Sequence, residues 1–444
     1  MTSGVSSWYL LQIYIGGWEG GCGRRGVRGG SKCGGGVKVG VRISGSQSDE
    51  FALGRENSRN QRRLKRMDTE ERNEKFYLSE DVMVDILSRL PVKPLLRFKS
   101  VCTQWCALIS SPSFASLHLN RSISNPTRHS ILVHTDYQNN FIPFDPSTYS
   151  PFSNLDIYCS LRSFGQSLLF VGSIDGLLCL CGSSGKWICL WNPSTRLFKK
   201  FETGINRHSY SFSVGFGRDL IANDYKVVVI HLRCRQGVMR TGVKVWSANL
   251  ESWREIEVDC NFTSKQHVCD VIVKGFAYWI VSDGLGSNSK SLVASFNMST
   301  EVLQLVPVPE GYSNHPYDFI GLIWKDNFAL AALEGAKIYQ VWTIENDSVG
   351  KESWSKKFTL ELDFRSSLST INAGNGKLSY NRGTQILIFY DLETTKMKRV
   401  ETQKYNYLAS GAHYYVESLL SIKGFKRIRE NAKKMEQPTI SYYF

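Results

Sequence analysis

The sequence predicts a mainly β protein with a small α-helical module on its amino-terminal side. Three observations predict it. Apolar residues fall at helical spacing only through residues 76–120. From Arg128 onward they alternate with the period of a strand. Large aromatic residues then recur at intervals of 46 to 55 residues from Phe144 to Tyr390.

Composition sets the outer bounds. With 444 residues, 42% hydrophobic and 21% charged, the chain is neither wholly disordered nor a disulfide-dense miniprotein. Its longest apolar runs fall far short of the roughly 18–20 residues that span a bilayer as a helix. The net charge of +14 sits at the ends. Residues 1–66 hold 12 Lys+Arg against 4 Asp+Glu, and residues 422–444 hold 6 against 2, so the remaining 355 carry only +2. A basic pI of this origin is no argument that the folded body grips nucleic acid, and none is expected as a partner.

The 11 cysteines are odd in number and scattered, and Cys179, Cys181 and Cys189 lie inside apolar runs. They read as buried reduced thiols of a protein of the cytoplasm and/or nucleus. Cys102 and Cys106 have no second ligand pair near them, so no metal site and no cofactor is expected.

Residues 1–66 contain 15 glycines and form a basic, Gly-rich tail expected to be disordered. The apolar run Trp8–Ile15 lacks a basic residue before it and a small-residue cleavage site after it, so it does not read as a signal sequence. Gly21-Cys22-Gly23-Arg24-Arg25-Gly26 matches a dinucleotide fingerprint, but no amphipathic helix follows it. The cluster Arg59–Arg66 reads either as an import signal or as a solvated basic run. Met67 opens an acidic stretch and makes a sensible start of translation.

The helical module, residues 76–120, begins with Ser79 as an N-cap and Glu80 and Asp81 at the positive end of the helix dipole. Val82, Ile86, Leu87 and Leu90 share one helical face. Pro91 stops that helix, and Pro94 suits the first turn of the next. Val101, Cys102, Trp105, Leu108 and Ile109 give a third, with Ser110-Ser111-Pro112-Ser113 closing the unit. Three short helices cannot bury these side chains among themselves, so the module is either a cap on the rest of the chain or a docking surface for another protein.

Leu78 to Leu119 closely resembles the F-box, in the form that precedes an F-box-associated domain in plants. The matching string is Leu90-Pro91-Val92-Lys93, Leu95-Leu96-Arg97-Phe98-Lys99, Val101-Cys102, Trp105, and Leu108 through Phe114 with Leu117-His118-Leu119. One departure is Leu78-Ser79, where the family has Leu-Pro. Ser79 still caps the helix, but the rigid proline contact is lost. The resemblance implies docking on the small Skp-type adaptor of cullin–RING ubiquitin ligases. By position, Leu78, Pro91, Val92, Leu95 and Leu96 would face that adaptor. Val82, Ile86, Leu87, Leu90, Val101, Cys102 and Trp105 would divide between the interface and the module's own core.

Residues 128–421 read as strands, for example Lys226–Ile230, Phe276–Val281 and Ile386–Tyr390. The aromatic anchors are Phe144, Trp191, Trp246, Phe296, Trp342 and Tyr390, and Asp145, Asn192, Asn297 and Asp391 follow four of them. Two run on as Asx-Pro-Ser-Thr, which is type I turn chemistry. The period fits one four-stranded propeller blade. The span predicts a six-unit β-propeller-like body, with the late strand Tyr414–Leu420 pairing near Ile131–Val133 to close the ring. An irregular pair of β-sandwiches is the alternative. The region also resembles the plant F-box-associated domain, through Asp175–Leu180, Trp191–Arg196, Val214–Gly217 with Asn223–Val228, Val245–Ser247 with Ser252–Arg254, and Ser353–Lys356. A basic tail, residues 422–444, comes last.

Nothing in the pattern points to catalysis. The 8 histidines are isolated, and no Gly-x-Ser-x-Gly elbow or phosphate loop occurs. Asp175, Asp219, Asp224 and Asp283 are conceivable as paired acids, but each sits in turn chemistry. Trp191, Trp246, Trp253, Trp342 and Trp354 read as blade core before sugar-stacking residues, because they recur at the blade period. The expected function is a non-catalytic, substrate-recognition subunit of an SCF-type ligase. Its F-box would hold adaptor and cullin, and its β-domain an unknown target protein. The alternatives are a stand-alone binding module for a peptide or glycan, and a hydrolase. The tips at 208–210, 284–289 and 311–315 are candidate contacts.

Overall fold

The computed structural model describes residues 79–427, apart from segments 136–139, 153–167, 206–208, 236–237, 259–260, 265, 285–288, 313–317, 336, 347–351, 362–370, 375–376, 382–385 and 402–408. It also describes β1 (Ile13–Tyr14) and β2 (Gly40–Val41), an antiparallel pair. Contacts divide the chain into two compact units, Met1–Leu87 and Ser88–Phe444. The expected disorder of residues 1–66 falls outside the described residues, apart from that pair.

Four helices, not three, make the helical region: α1 (Glu80–Ser88), α2 (Val92–Phe98), α3 (Thr103–Ser110) and α4 (Pro112–Ile123). The extra helix starts where the sequence reads as a closing turn. Ser111 Oγ accepts the Phe114 N–H at 3.2 Å, and Pro112 occupies the first helical turn. Serine as N-cap with proline just inside is a helix start, not a stop. A short 3₁₀ turn, Pro126–Arg128, then leads into the sheets.

All named strands pair antiparallel, in small sheets strung along the chain. The first full sheet contains β5 (Leu168–Ile174), β6 (Leu177–Gly182), β7 (Trp187–Asn192) and β8 (Leu197–Glu202). The second contains β9 (Ser209–Asp219), β10 (Asp224–Arg235), β11 (Val238–Ser247) and β12 (Ser252–Ile256). The third contains β13 (Thr263–Ser264), β14 (Val271–Val273), β15 (Phe276–Ser282), β16 (Ser291–Asn297) and β17 (Leu303–Pro307). The fourth contains β18 (Phe319–Trp324), β19 (Asn327–Leu333), β20 (Ile338–Asn346) and β21 (Glu352–Glu361). The fifth contains β22 (Ile371–Gly374), β23 (Lys377–Asn381), β24 (Ile386–Asp391) and β25 (Met397–Glu401).

The remaining sheet joins the two ends of the body. Here β26 (Ala409–Val416) pairs with β3 (His129–Thr135), which pairs with β4 (Asn140–Phe144). The register sets Tyr414 opposite Ile131 and Ala412 opposite Val133, as the sequence predicts. The expected six-unit body is corrected to five blades by this count. Among the described residues five blades have four strands or more, and the closing sheet has three. Length divides evenly by six, but strand number does not, because the closing unit is assembled from both chain ends. Lys426–Arg427, assigned from sequence to the basic tail, forms β27 on the outer edge of β8.

The recurring turn has a common geometry. Asn192 Oδ1 accepts the N–H groups of Ser194 and Thr195 at 3.0 and 3.3 Å. Asp145, Asn297 and Asp391 each accept two N–H groups in the same way. Four residues after each of these stands a non-glycine at positive φ: Tyr149, Arg196, Glu301 and Thr395. Trp246 lacks an Asx neighbour, yet Ser247 Oγ accepts the Leu250 N–H at 3.1 Å and Glu251 takes the same left-handed position. A hydroxyl thus replaces the carboxamide in one blade. Gly176, at φ 79, ends a different tight turn, where a side chain would meet the Val416 carbonyl at 2.6 Å.

Five of the six anchors are buried: Phe144, Trp191, Trp246, Phe296 and Tyr390. Trp342 is half-buried and donates to the Tyr312 hydroxyl at 3.2 Å. Trp253 and Trp354 act between blades. Trp253 Nε1 donates to the Glu202 carbonyl on β8 at 2.8 Å, and Trp354 Nε1 to the Pro307 carbonyl on β17 at 2.7 Å. The buried ammonium of Lys226 joins the second and third blades, donating to Asp219 at 2.7 Å, Glu301 at 2.8 Å and the Met298 carbonyl at 2.7 Å.

Two outcomes test this geometry. Asn297→Ala removes one turn acceptor and should cost about 1 kcal/mol in urea unfolding. Asn192→Ala should cost more, about 3 kcal/mol, because Asn192 Nδ2 also donates to the carbonyls of Ser418 and Leu420 at 3.0 and 2.9 Å. Equal costs would deny the link to the carboxy-terminal segment. Separately, burial, with Arg233 and Lys244 adding to it, lowers the His231 pKa to about 4. Unfolded histidine takes up its proton near 6.5, so between about pH 6.5 and 4 acid favours the unfolded chain at this position. His231→Leu should therefore gain stability relative to the parent as pH falls through that window, read by urea unfolding at several pH values.

Candidate docking surface

The amino-terminal unit presents one face of α1. Ser79 Oγ accepts the Val82 N–H at 3.4 Å, and Glu80 and Asp81 occupy the first turn. Val82 and Ile86, one helical turn apart, are 44% and 40% exposed. One helix face thus leaves two branched aliphatic side chains partly in water. Leu87 is buried, and Leu78 lies outside the described residues.

The other residues assigned from sequence belong to the second unit. Pro91 is exposed. Val92 and Leu95, which the F-box resemblance turns toward the adaptor, are 1% and 0% exposed. Trp105 is buried and meets Phe98 edge-on at 5.4 Å between ring centroids. Leu90, Leu96, Val101 and Cys102 are half-buried. Cys102 is also the N-cap of α3, its Sγ accepting the Trp105 N–H at 3.4 Å.

The residue that seats α2 lies far away in sequence. Glu417 Oε2 accepts the Val92 N–H at 3.2 Å, supplying the cap that Pro91 cannot. A carboxylate there also meets the positive end of the helix dipole. Its other oxygen lies 3.8 Å from Arg128 Nε. Burial raises the Glu417 pKa, and the Val92 N–H and Arg128 oppose that rise. Arg128 further donates to the Arg89 carbonyl and to Ser122 Oγ, the latter at 3.0 Å. His118 Nε2 donates to the Leu90 carbonyl at 2.9 Å, and burial lowers its pKa to about 4, so at neutral pH it serves as an uncharged tie. Arg121 Nη1 donates to Ser88 Oγ at 2.5 Å. Neither Glu417 nor Arg128 is evident from sequence, because no local period announces a cap 325 residues distant.

The acids considered for catalysis are engaged in structure. Asp175 accepts from Arg218 and from the Tyr225 hydroxyl, both at 2.8 Å. Asp219 holds Lys226, Asp224 accepts from Ser247 at 2.6 Å, and Asp283 accepts the Lys290 N–H at 2.6 Å. Among the described residues no group of three His, Cys, Asp or Glu is placed to hold a metal ion, and no helix is long and apolar enough to cross a membrane. Cys179, Cys181, Cys189 and Cys269 are buried free thiols, and burial pushes those of Cys181 and Cys269 up to about 12. The candidate tips at 208–210, 284–289 and 311–315 lie largely outside the described residues.

Comparison with known proteins gives two family matches. Residues 77–117 match the F-box domain, and residues 160–422 match the F-box associated beta propeller domain. Among curated relatives, a putative F-box/kelch-repeat protein of Arabidopsis thaliana is 25% identical over 305 residues, covering 64% of this chain and 71% of that one. A putative F-box protein of the same plant is 28% identical over 273 residues, covering 60% and 85%. A further Arabidopsis F-box/kelch-repeat protein is 26% identical over 339 residues, covering 68% and 89%. One solved structure, the dihydro-heme d1 dehydrogenase NirN, aligns with TM-score 0.33 at 10% identity over 65% of this chain and 75% of that one, a likeness too slight to bear on fold or function. The helical module, the ring of blades and these matches agree: the chain belongs to the plant F-box proteins that carry an F-box-associated β-propeller.

Proposed function

We propose that the chain is the substrate-recognition subunit of an SCF-type cullin–RING ubiquitin ligase. The observation that carries this reading is an F-box whose first helix leaves Val82 and Ile86 in water. Fully burying such a side chain in a partner stabilises the complex by about 1.5–3 kcal/mol, less the cost of association. The partner is the Skp-type adaptor, which bridges to the cullin. The propeller holds a target protein, and no residue of this chain needs to carry ubiquitin. Rate comes from tethering, which raises the local concentration of a target lysine to about millimolar near the charged conjugating enzyme. Buried free thiols support a reducing compartment, the cytoplasm or nucleus.

A second reading, a propeller binding module without ligase coupling, is favoured by the burial of Val92 and Leu95 within the chain and by Ser79 in place of proline. The two readings separate in one experiment. In the first, full-length protein co-purifies with adaptor and cullin, and Val82→Asp with Ile86→Asp weakens that association about a hundredfold. Thermal unfolding stays near that of the parent, because both positions are exposed. A folded parent chain that retains no adaptor supports the second reading and sinks the first.

A further inference from the structure

A cleft of about 790 Å³ lies between α2–α4 and the propeller. Leu96, Ile109 and Leu119 form part of its helical wall, and Tyr225, Ala248 and Leu419 part of the opposite wall. Its charged lining is of one sign. Lys99, Arg218, Lys423 and Arg427 line it, and no aspartate or glutamate does. These cations come from separate places: the C-cap of α2, the end of β9, the closing segment and β27. Nearby acids answer two of them. Arg218 Nη1 donates to Asp175, and Lys423 Nζ lies 3.2 Å from Glu251 Oε2. Lys99 and Arg427 carry no ion pair among the described residues. The Arg218 Nε–H is buried and meets no acceptor there.

We propose that this cleft binds a small polyphosphorylated molecule. Lys99 and Arg427, which no acid answers among the described residues, leave the cleft with uncompensated positive charge that a multivalent anion offsets. The guanidinium of Arg427 suits phosphate oxygens. The volume lies within the range of about 300–1,000 Å³ common to ligand sites. Apolar side chains beside the cations exclude water and strengthen each charge-assisted contact. Because Lys99 lines the helical wall and Arg218, Lys423 and Arg427 the opposite one, the fitting ligand is compact and bears phosphates on more than one side. A peptide with a single phosphate would satisfy one wall only. The site is separate from the adaptor-docking role, and its test needs no adaptor.

The test is calorimetric titration of the full chain with inorganic tripolyphosphate at about physiological salt. Saturable binding of one molecule per chain is expected, with a raised melting temperature. The paired variant Lys99→Glu/Arg427→Glu should bind about tenfold or more weakly. The charge-matched pair Lys398→Glu/Arg399→Glu, on exposed β25, should bind as the parent does. Lys423→Ala, at a side chain 79% exposed, serves if the first pair is unfolded, and should weaken binding about threefold. Absence of saturable binding overturns the proposal. So do equal losses in both charge pairs, which mark diffuse counter-ion attraction, or tighter binding of a singly phosphorylated serine peptide than of tripolyphosphate.

Discussion

The second unit depends on one strand pairing, β26 against β3. A propeller without it is an open row of blades with bare edges at both ends, and such edges recruit other strands. The pairing is antiparallel and runs from Val416 opposite His129 to Ala409 opposite Thr135. It also positions the residues just after β26. Glu417 then stands beside the first residue of α2, and the Ser418 and Leu420 carbonyls beside Asn192. Closing the ring and seating the helices are therefore one event.

Between blades the work is divided by depth. Trp191, Trp246 and Trp279 are fully buried and supply apolar area. Trp253 and Trp354 sit further out and use their indole N–H groups to hold the last strand of the preceding blade. Gly215 lets Trp279 of the next blade approach to where a side chain would begin. Lys226, Asp219 and Glu301 add a buried charged tie in which each carboxylate meets the one ammonium.

Much of the fold is legible in the residues. Strand alternation places β10, β15 and β24, and the repeated Asx-Pro-Ser-Thr places two turns and hints at two more. The closing strand is readable because its apolar residues have no other edge to satisfy. Three features escape such reading. Ser247 performs the Asx role with a different side chain, so a search for Asp or Asn passes over it. Ser111-Pro112 looks like a break and is a helix start, because those residue types serve both ends of a connection. Glu417 caps α2 across the whole propeller, and such a pairing is set by tertiary closure, which no local period records. Val82, Ile86, Val92 and Leu95 are recognisable as apolar from sequence, but which of them stay in water is decided by tertiary packing: Val82 and Ile86 do, Val92 and Leu95 do not.

The joining of the two ends has a consequence for the order of biosynthesis. Tyr414, whose hydroxyl bonds His129, leaves the ribosome 285 residues after it. Until then β3 has no outer neighbour, and the blades emerge one by one without a frame. A product lacking β26 would thus hold five sheets in an unclosed row, a natural client for chaperones and proteases.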